Sequence, residues 1–229
     1  MIRLSARAIA TFAASAGLLA GLAPDTTVAS PATPSPATVQ VRVEGSTSTL
    51  LELTTVTTGT APVVKDANNT HSCSGTSAGG ALERGTQGNW NGPYYSGLGY
   101  SPESIMGESH TFSSGYYWLF WYDHRSSSTG ICGQELSSGD DILFFPVCAS
   151  NCPAGYTYPP VLGLSAPATA DAGSPFTVTV TSYSDTTGSD PSGNPAPDGT
   201  PSPATNATVT VTPSGATFPT DSHGQANIT

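Results

Sequence analysis

The chain has 229 residues, with 16 Asp and Glu against 6 Lys and Arg, a formal net charge of −10. That balance excludes a nucleic-acid binder, which needs clustered Lys and Arg for phosphate contacts, and it argues against adsorption to anionic membranes. Only 10% of residues are charged, whereas Gly and Pro number 25 and 20, a composition that points to a β-rich surface protein rather than a cytosolic enzyme.

Residues 1–29 read as a secretory signal: Arg3 and Arg7 supply the positive start, Ala8 to Ala23 the apolar stretch, and Thr27-Val28-Ala29 the small residues before the cut. No other segment has about 18 consecutive apolar residues, so no membrane span is expected after cleavage. Residues 30–38 form a Pro/Ser/Thr linker.

A first domain is expected over residues 39–147. Val39-Gln40-Val41-Arg42-Val43 alternates with period two, as a half-buried strand does. Gly45 to Ser48 reads as a turn and Thr49 to Thr58 as a second, β-branched strand. Ser74 to Arg84 is the one plausible helix, with Ala78, Ala81 and Leu82 on one face. Gly79 and Gly80 each cost it about 1 kcal/mol relative to Ala. Three strand candidates follow: Tyr100 to Met106, Tyr116 to Tyr122, and Asp141 to Val147. The order ββαβββ predicts an α+β, β-grasp-like domain with one short helix on a mixed sheet.

Residues 148–160 form a Cys/Pro connector. From Val161 to Thr229 the chain turns to Thr, Val, Ala and Pro, with strand-like runs at Leu162–Leu164, Phe176–Val180 and Ala207–Val211. These predict an all-β, immunoglobulin-like partial sandwich, since about four strands fall short of the usual seven. Ser184 to Thr205 lacks apolar periodicity and reads as a disordered loop.

Export makes disulfides of Cys73, Cys132, Cys148 and Cys152. Three connectivities are open. The short Cys148–Cys152 spacing favours a local loop, which leaves Cys73 with Cys132. A zinc set from His71, Cys73, Cys148 and Cys152 fits no common finger spacing.

The segment CSGTSAGGALERGTQGNW (73–90), followed by the aromatic strand, Gly130, Glu135-Leu136, Gly139-Asp140 and the final apolar strand, resembles the transcobalamin-like C-terminal domain. The resemblance implies a β-grasp fold and a corrinoid-like ligand, hence cobalamin as the cofactor to consider. Two features depart from the family: Asp123-His124 stands where Asn-Gly is frequent, and nothing in the chain corresponds to the helical barrel of the cobalamin carriers.

Several residue sets could carry chemistry. Gly75-Thr76-Ser77-Ala78-Gly79 matches the nucleophile-elbow pattern, but polar residues precede it where a buried strand is required. His110, His124 and His223 have no supporting context as its base. Glu103 with Glu108, or Asp123 with Glu135, are carboxylate pairs whose separation the sequence does not fix. Asp185, Asp190 and Asp198 do not match a calcium loop.

The aromatics are the strongest signal, with 11 of the 19 lying between Trp90 and Tyr122. Both faces of Tyr116–Tyr122 are large and apolar, and one small helix covers only one face of a sheet. The loop Trp90–Tyr100, a partner or a ligand must cover the other. Trp90, Tyr94, Tyr95, Tyr116, Trp118 and Trp121 are therefore the candidate ligand-binding residues, able to stack on a flat or sugar-like molecule. The expected protein is an exported, non-enzymatic binding module for a small molecule, a glycan or a cell-envelope component. The alternatives are a structural or adhesive surface protein and, more remotely, a hydrolase using Ser77.

Overall fold

The computed structural model describes residues 35–127, 129–156, 159–183 and 199–229. The signal expected over 1–29, most of the linker, and residues 184–198 of the expected loop lie outside them. The protein is mostly β with one short helix. Chain order runs β1 (Thr38–Glu44), β2 (Thr49–Thr57), α1 (Ala78–Gly85), β3 (Trp90–Asn91), β4 (Tyr94–Tyr95), β5 (Gly99–Tyr100), β6 (Ser104–Ile105) and β7 (Glu108–Ser109). It continues through β8 (Tyr116–Tyr122), β9 (Arg125–Ser126), β10 (Asp141–Cys148), β11 (Leu162–Ser165), β12 (Phe176–Ser182), β13 (Ser202–Pro203), β14 (Thr208–Val211), β15 (Ala216–Pro219) and β16 (Gln225–Ile228).

The main sheet is mixed, in the order β2-β1-β10-β8-β9. β1 and β10 pair in parallel at its centre, with Val41 opposite Ile142, and the other pairings are antiparallel. The period-two pattern of β1 is obeyed: Val39, Val41 and Val43 are buried and the residues between them are not. Ala37, assigned to the linker by composition, is also core, and its N–H donates to Thr58 Oγ1 at 2.8 Å.

The helix starts at Ala78, four residues later than expected. Cys73 is held in a β-bridge to Val63, and Ser74 to Ser77 make a turn closed by Ser77 N–H on Ser74 O. Ser77 is then the N-cap, accepting from Gly80 N–H at 3.4 Å. At the other end, Thr86 N–H and Oγ1 both donate to Leu82 O, at 3.0 and 2.7 Å. The expected strand Tyr100 to Met106 does not form as one piece. It breaks into β5 and β6 around Ser101-Pro102, and Met106 adopts a left-handed φ of 50°.

The loop from Trp90 to Ile105 lies on the helix side of the sheet. Trp90, Tyr100 and Ile105 share one core with Ala78, Ala81, Leu82, Trp118, Phe120 and Phe144. The opposite face has a different cover. Trp121, Phe145 and Val147 pack against Val161, the first residue after the connector, with Tyr183 at the edge of the cluster. The far face of the sheet is thus closed by the chain that follows β10.

The last third forms small antiparallel sheets. β12 is flanked by β11 on one side and by β13 and β16 on the other, and β14 pairs with β15. Val178, Val180, Ala204, Val209, Ala226 and Ile228 make their core. The sequence places Ser202–Ala204 in a disordered loop. Here Ser202–Pro203 pairs with β12 and Ala204 is buried, because these residues complete the cover over Val180.

Two disulfides join Cys73 to Cys132 and Cys148 to Cys152, the connectivity that the spacing favours. They fit an oxidising compartment. Among the described residues no helix is long and apolar enough to cross a membrane.

Candidate functional site

The six aromatic candidates separate by burial. Trp90, Trp118 and Trp121 are all buried, so none presents a free ring face for stacking. The ring chemistry needs such a face, and core packing has consumed it. Tyr94 and Tyr116 are half-buried, and Tyr95 is 44% exposed. Tyr94 stacks on His71 at 4.0 Å between ring centroids. The six do not gather into one platform: Trp121 belongs to the outer-face cluster, whereas Trp90 and Trp118 belong to the helix-side core.

A polar network ties the Trp90–Tyr100 loop to the chain before the helix. The buried Tyr100 hydroxyl donates to Asp66 Oδ1 at 2.6 Å and accepts from the N–H groups of Lys65 and Asp66 at 3.0 and 3.2 Å. Lys65 pairs with Glu83 at 2.6 Å and sits over the Trp90 ring, while Trp90 Nε1–H donates to Glu83 Oε2 at 2.7 Å. Hydrogen bonds from Thr70 and Tyr100 hold the Asp66 carboxyl well below its ordinary 3.8. A depressed folded value stabilises the fold above the unfolded pKa, and that contribution is lost as pH falls through the folded one. Asp66→Asn is therefore expected to lower Tm at neutral pH, with the gap to wild type narrowing between about pH 5 and pH 2. Thermal melts across that range check this, and a constant gap would sink it.

Ser77 is fully buried, and its Oγ donates to Ser74 O at 2.7 Å while capping the helix. Its hydrogen-bonding capacity is spent on local structure. A second Ser–His–acid group exists at Ser46, His110 and Glu108. Glu108 Oε1 meets His110 Nε2 at 2.6 Å and accepts from Ser46 Oγ at 2.8 Å, and Ser46 Oγ lies 3.2 Å from the same Nε2. A catalytic relay places nucleophile and acid on opposite ring nitrogens. Here both meet one nitrogen, an arrangement suited to tying the β1–β2 turn to β7. Burial pushes the Glu108 carboxyl up, but the bonds from His110 and Ser46 outweigh it and leave it below its usual value.

A groove that combines apolar surface with a few polar groups lies on the outer face of the main sheet. The chain crosses this face at Val161-Leu162, at the start of β11, and leaves two adjoining cavities of about 400 and 290 Å³, which share Arg42, Leu143, Val161 and Leu162. The sheet supplies the floor: Leu143 lies opposite Arg42 on one side and Trp121 on the other. The larger cavity runs past Phe145 and Pro146 to Pro159 and Pro160. The smaller is walled by Leu53 from β2, by β11, and by His124, Asp141 and Tyr183. Leu53 is 56% exposed and Leu164 is 64% exposed, so apolar surface lies open at this cavity.

The polar groups of the groove are few and directed. Trp121 is 1% exposed, and its Nε1–H is buried with no partner, as is Arg42 Nε. Arg42 pairs with Glu44. His124 stacks on Tyr183 at 4.2 Å and places Nε2 3.5 Å from Asp141 Oδ2. Burial raises the Asp141 carboxyl above its ordinary value, and His124 only partly opposes that. Gly163 allows this contact, because a Cβ there would lie 2.8 Å from Tyr183 and 3.3 Å from His124 Nε2.

Of the six aromatic candidates only Trp121 belongs to the groove, together with His124 from the histidines considered as bases. Arg42, Leu53, Leu143, Asp141 and Leu164 carry no motif, and strand pairing alone brings them together. The one legible signal was the two-sided apolar pattern of β8, which puts Trp121 opposite the helix.

No protein-family model matches the chain, and no curated protein matches it. Among solved structures it is similar to a Ruminococcus gnavus ATCC 29149 crystal structure described as a "putative metal binding protein", at 14% identity and a TM-score of 0.35, over 49% of this chain and 97% of that one. Among the described residues no three His, Cys, Asp or Glu side chains gather as a metal site would require.

Proposed function

We propose that this protein is an exported, non-enzymatic binding module, a transcobalamin-like β-grasp domain followed by an immunoglobulin-like partial sandwich, and that its ligand occupies the outer-face groove. The observation that carries the reading is a cavity flanked by the exposed Leu53 and Leu164 that has Trp121, whose buried N–H has no partner, among its lining residues. Leaving such a donor unsatisfied costs about 1–3 kcal/mol, which a ligand acceptor would recover. Cavities of about 400 and 290 Å³ suit a drug-sized molecule. A corrinoid exceeds either one.

The test is intrinsic tryptophan fluorescence, titrated with cobalamin, soluble glycans and small apolar compounds. A saturable response to one class is expected, and it should vanish in Leu53→Glu, whose exposed position leaves the fold intact. No response to any class would favour the second reading, a structural or adhesive surface protein, which the burial of all three tryptophans supports.

A further inference from the structure

We infer that the groove selects an uncharged ligand that offers a carbonyl-type hydrogen-bond acceptor on an apolar body. The inference rests on the reading of the groove as the binding site and names the chemistry that site would take.

In the smaller cavity the unfilled hydrogen-bonding capacity is all of one sign, whereas the buried Glu44 Oε1, which also has no hydrogen-bond partner, belongs to a residue of the larger one. Trp121 Nε1 and Arg42 Nε are both donors, both buried and both without partners. An indole N–H and a guanidinium N–H donate only, so the ligand must accept. Both side chains line the smaller cavity, and Leu143 stands between them on the sheet.

Charge then narrows the class. Arg42 is already paired with Glu44, and Asp141, close enough to feel the Arg42 charge, lines the same cavity. An anionic head group would reach the Arg42 guanidinium only by meeting these carboxylates, within a chain of net charge −10. An ammonium group brings more donors to a wall of donors. A neutral lactone, ester, amide or ketone oxygen accepts from Trp121 and Arg42 without an unbalanced charge. The open apolar surface of Leu53, Leu162 and Leu164 takes the body of the ligand.

Three probes with the same carbon count separate these possibilities: δ-decalactone, decanoate and decylamine. The readout is the indole N–H resonance of Trp121 in the ¹⁵N-labelled full chain, assigned with Trp121→Phe. The lactone is expected to shift that resonance saturably, with decanoate and decylamine roughly ten-fold weaker or more. Trp121→Phe keeps a ring in the core but removes the donor and its indole signal, so its affinity is read from the backbone amide of Leu143, and it should bind the lactone about ten-fold more weakly. The wild-type resonance shift stands alone should that variant fail to fold. Decanoate or decylamine binding the groove as tightly as the lactone would overturn the ligand class and leave the binding-module reading standing. Groove resonances that respond to none of the three would overturn both.

Discussion

Replacing Cys73 and Cys132 together by Ser is expected to cost more than roughly 4 kcal/mol of stability, which is the closure entropy of a loop of that length. The two cysteines are 59 residues apart, and the loop between them holds α1, the whole aromatic segment and β8. The loss should exceed simple closure entropy, because the bridge is also a packing element. Cys73 is buried against Gly79, and Cys132 Sγ accepts from Tyr100 N–H at 3.2 Å. The Cys148–Cys152 bridge spans a separation of 4, and its removal should cost roughly 2 kcal/mol or less. Urea unfolding of the two double-serine variants compares them directly. Equal losses would mean that the long bridge contributes nothing beyond a local clip.

That bridge also marks where sequence reasoning succeeds. Local patterns survive folding, so β1, β12 and β14 lie where alternation places them, and β8 and β10 where short continuous apolar runs do. The helix was visible in Ala78, Ala81 and Leu82, but not its first residue, because the Val63–Cys73 bridge is long-range. Tyr100 to Met106 looked like a strand by composition, yet Pro102 and the left-handed Met106 divide it. The parallel pairing of β1 with β10 left no local trace either, since register across some 100 residues is a tertiary property.

The groove was illegible for the same reason. Its floor comes from residues 42, 143 and 121 on three strands, and its walls from 53 and 162–165. What sequence does supply is the problem that the groove answers, a strand apolar on both faces with one helix to cover it. Val161 and Tyr183 close most of the far face, and the uncovered remainder is the cavity.

Gly80→Ala is expected to destabilise the protein by about 2 kcal/mol or more, although it replaces a poor helix former by the best. Propensity alone predicts a gain of about 1 kcal/mol. Packing reverses the sign: a Cβ on Gly80 would overlap the carbonyl oxygen of Gly75. That oxygen cannot simply retreat, because it accepts from Gly59 N–H at 3.1 Å, and Gly75 itself lies against the backbone carbonyls of Gly59 and Ala61. The glycines at 75 and 80 thus let the backbone of residues 59–61 and the helix start pack on one another. Gly85→Ala is the control within the same helix. Its Cβ would lie 3.1 Å from Leu51 Cδ2, the end of a half-buried side chain that can move, so propensity gain and crowding should cancel to within about 1 kcal/mol. Thermal and urea unfolding of the two variants decide the matter, and a stabilised Gly80→Ala would show that this packing is looser than its carbonyl contacts require. The same packing accounts for the glycine at position 75 of the Gly-x-Ser-x-Gly run, while Gly79 is fixed by its contact with Cys73 Sγ, where a Cβ would lie 2.9 Å away. Both glycines of the pattern are therefore explained by close approach, with Ser77 between them as the helix cap.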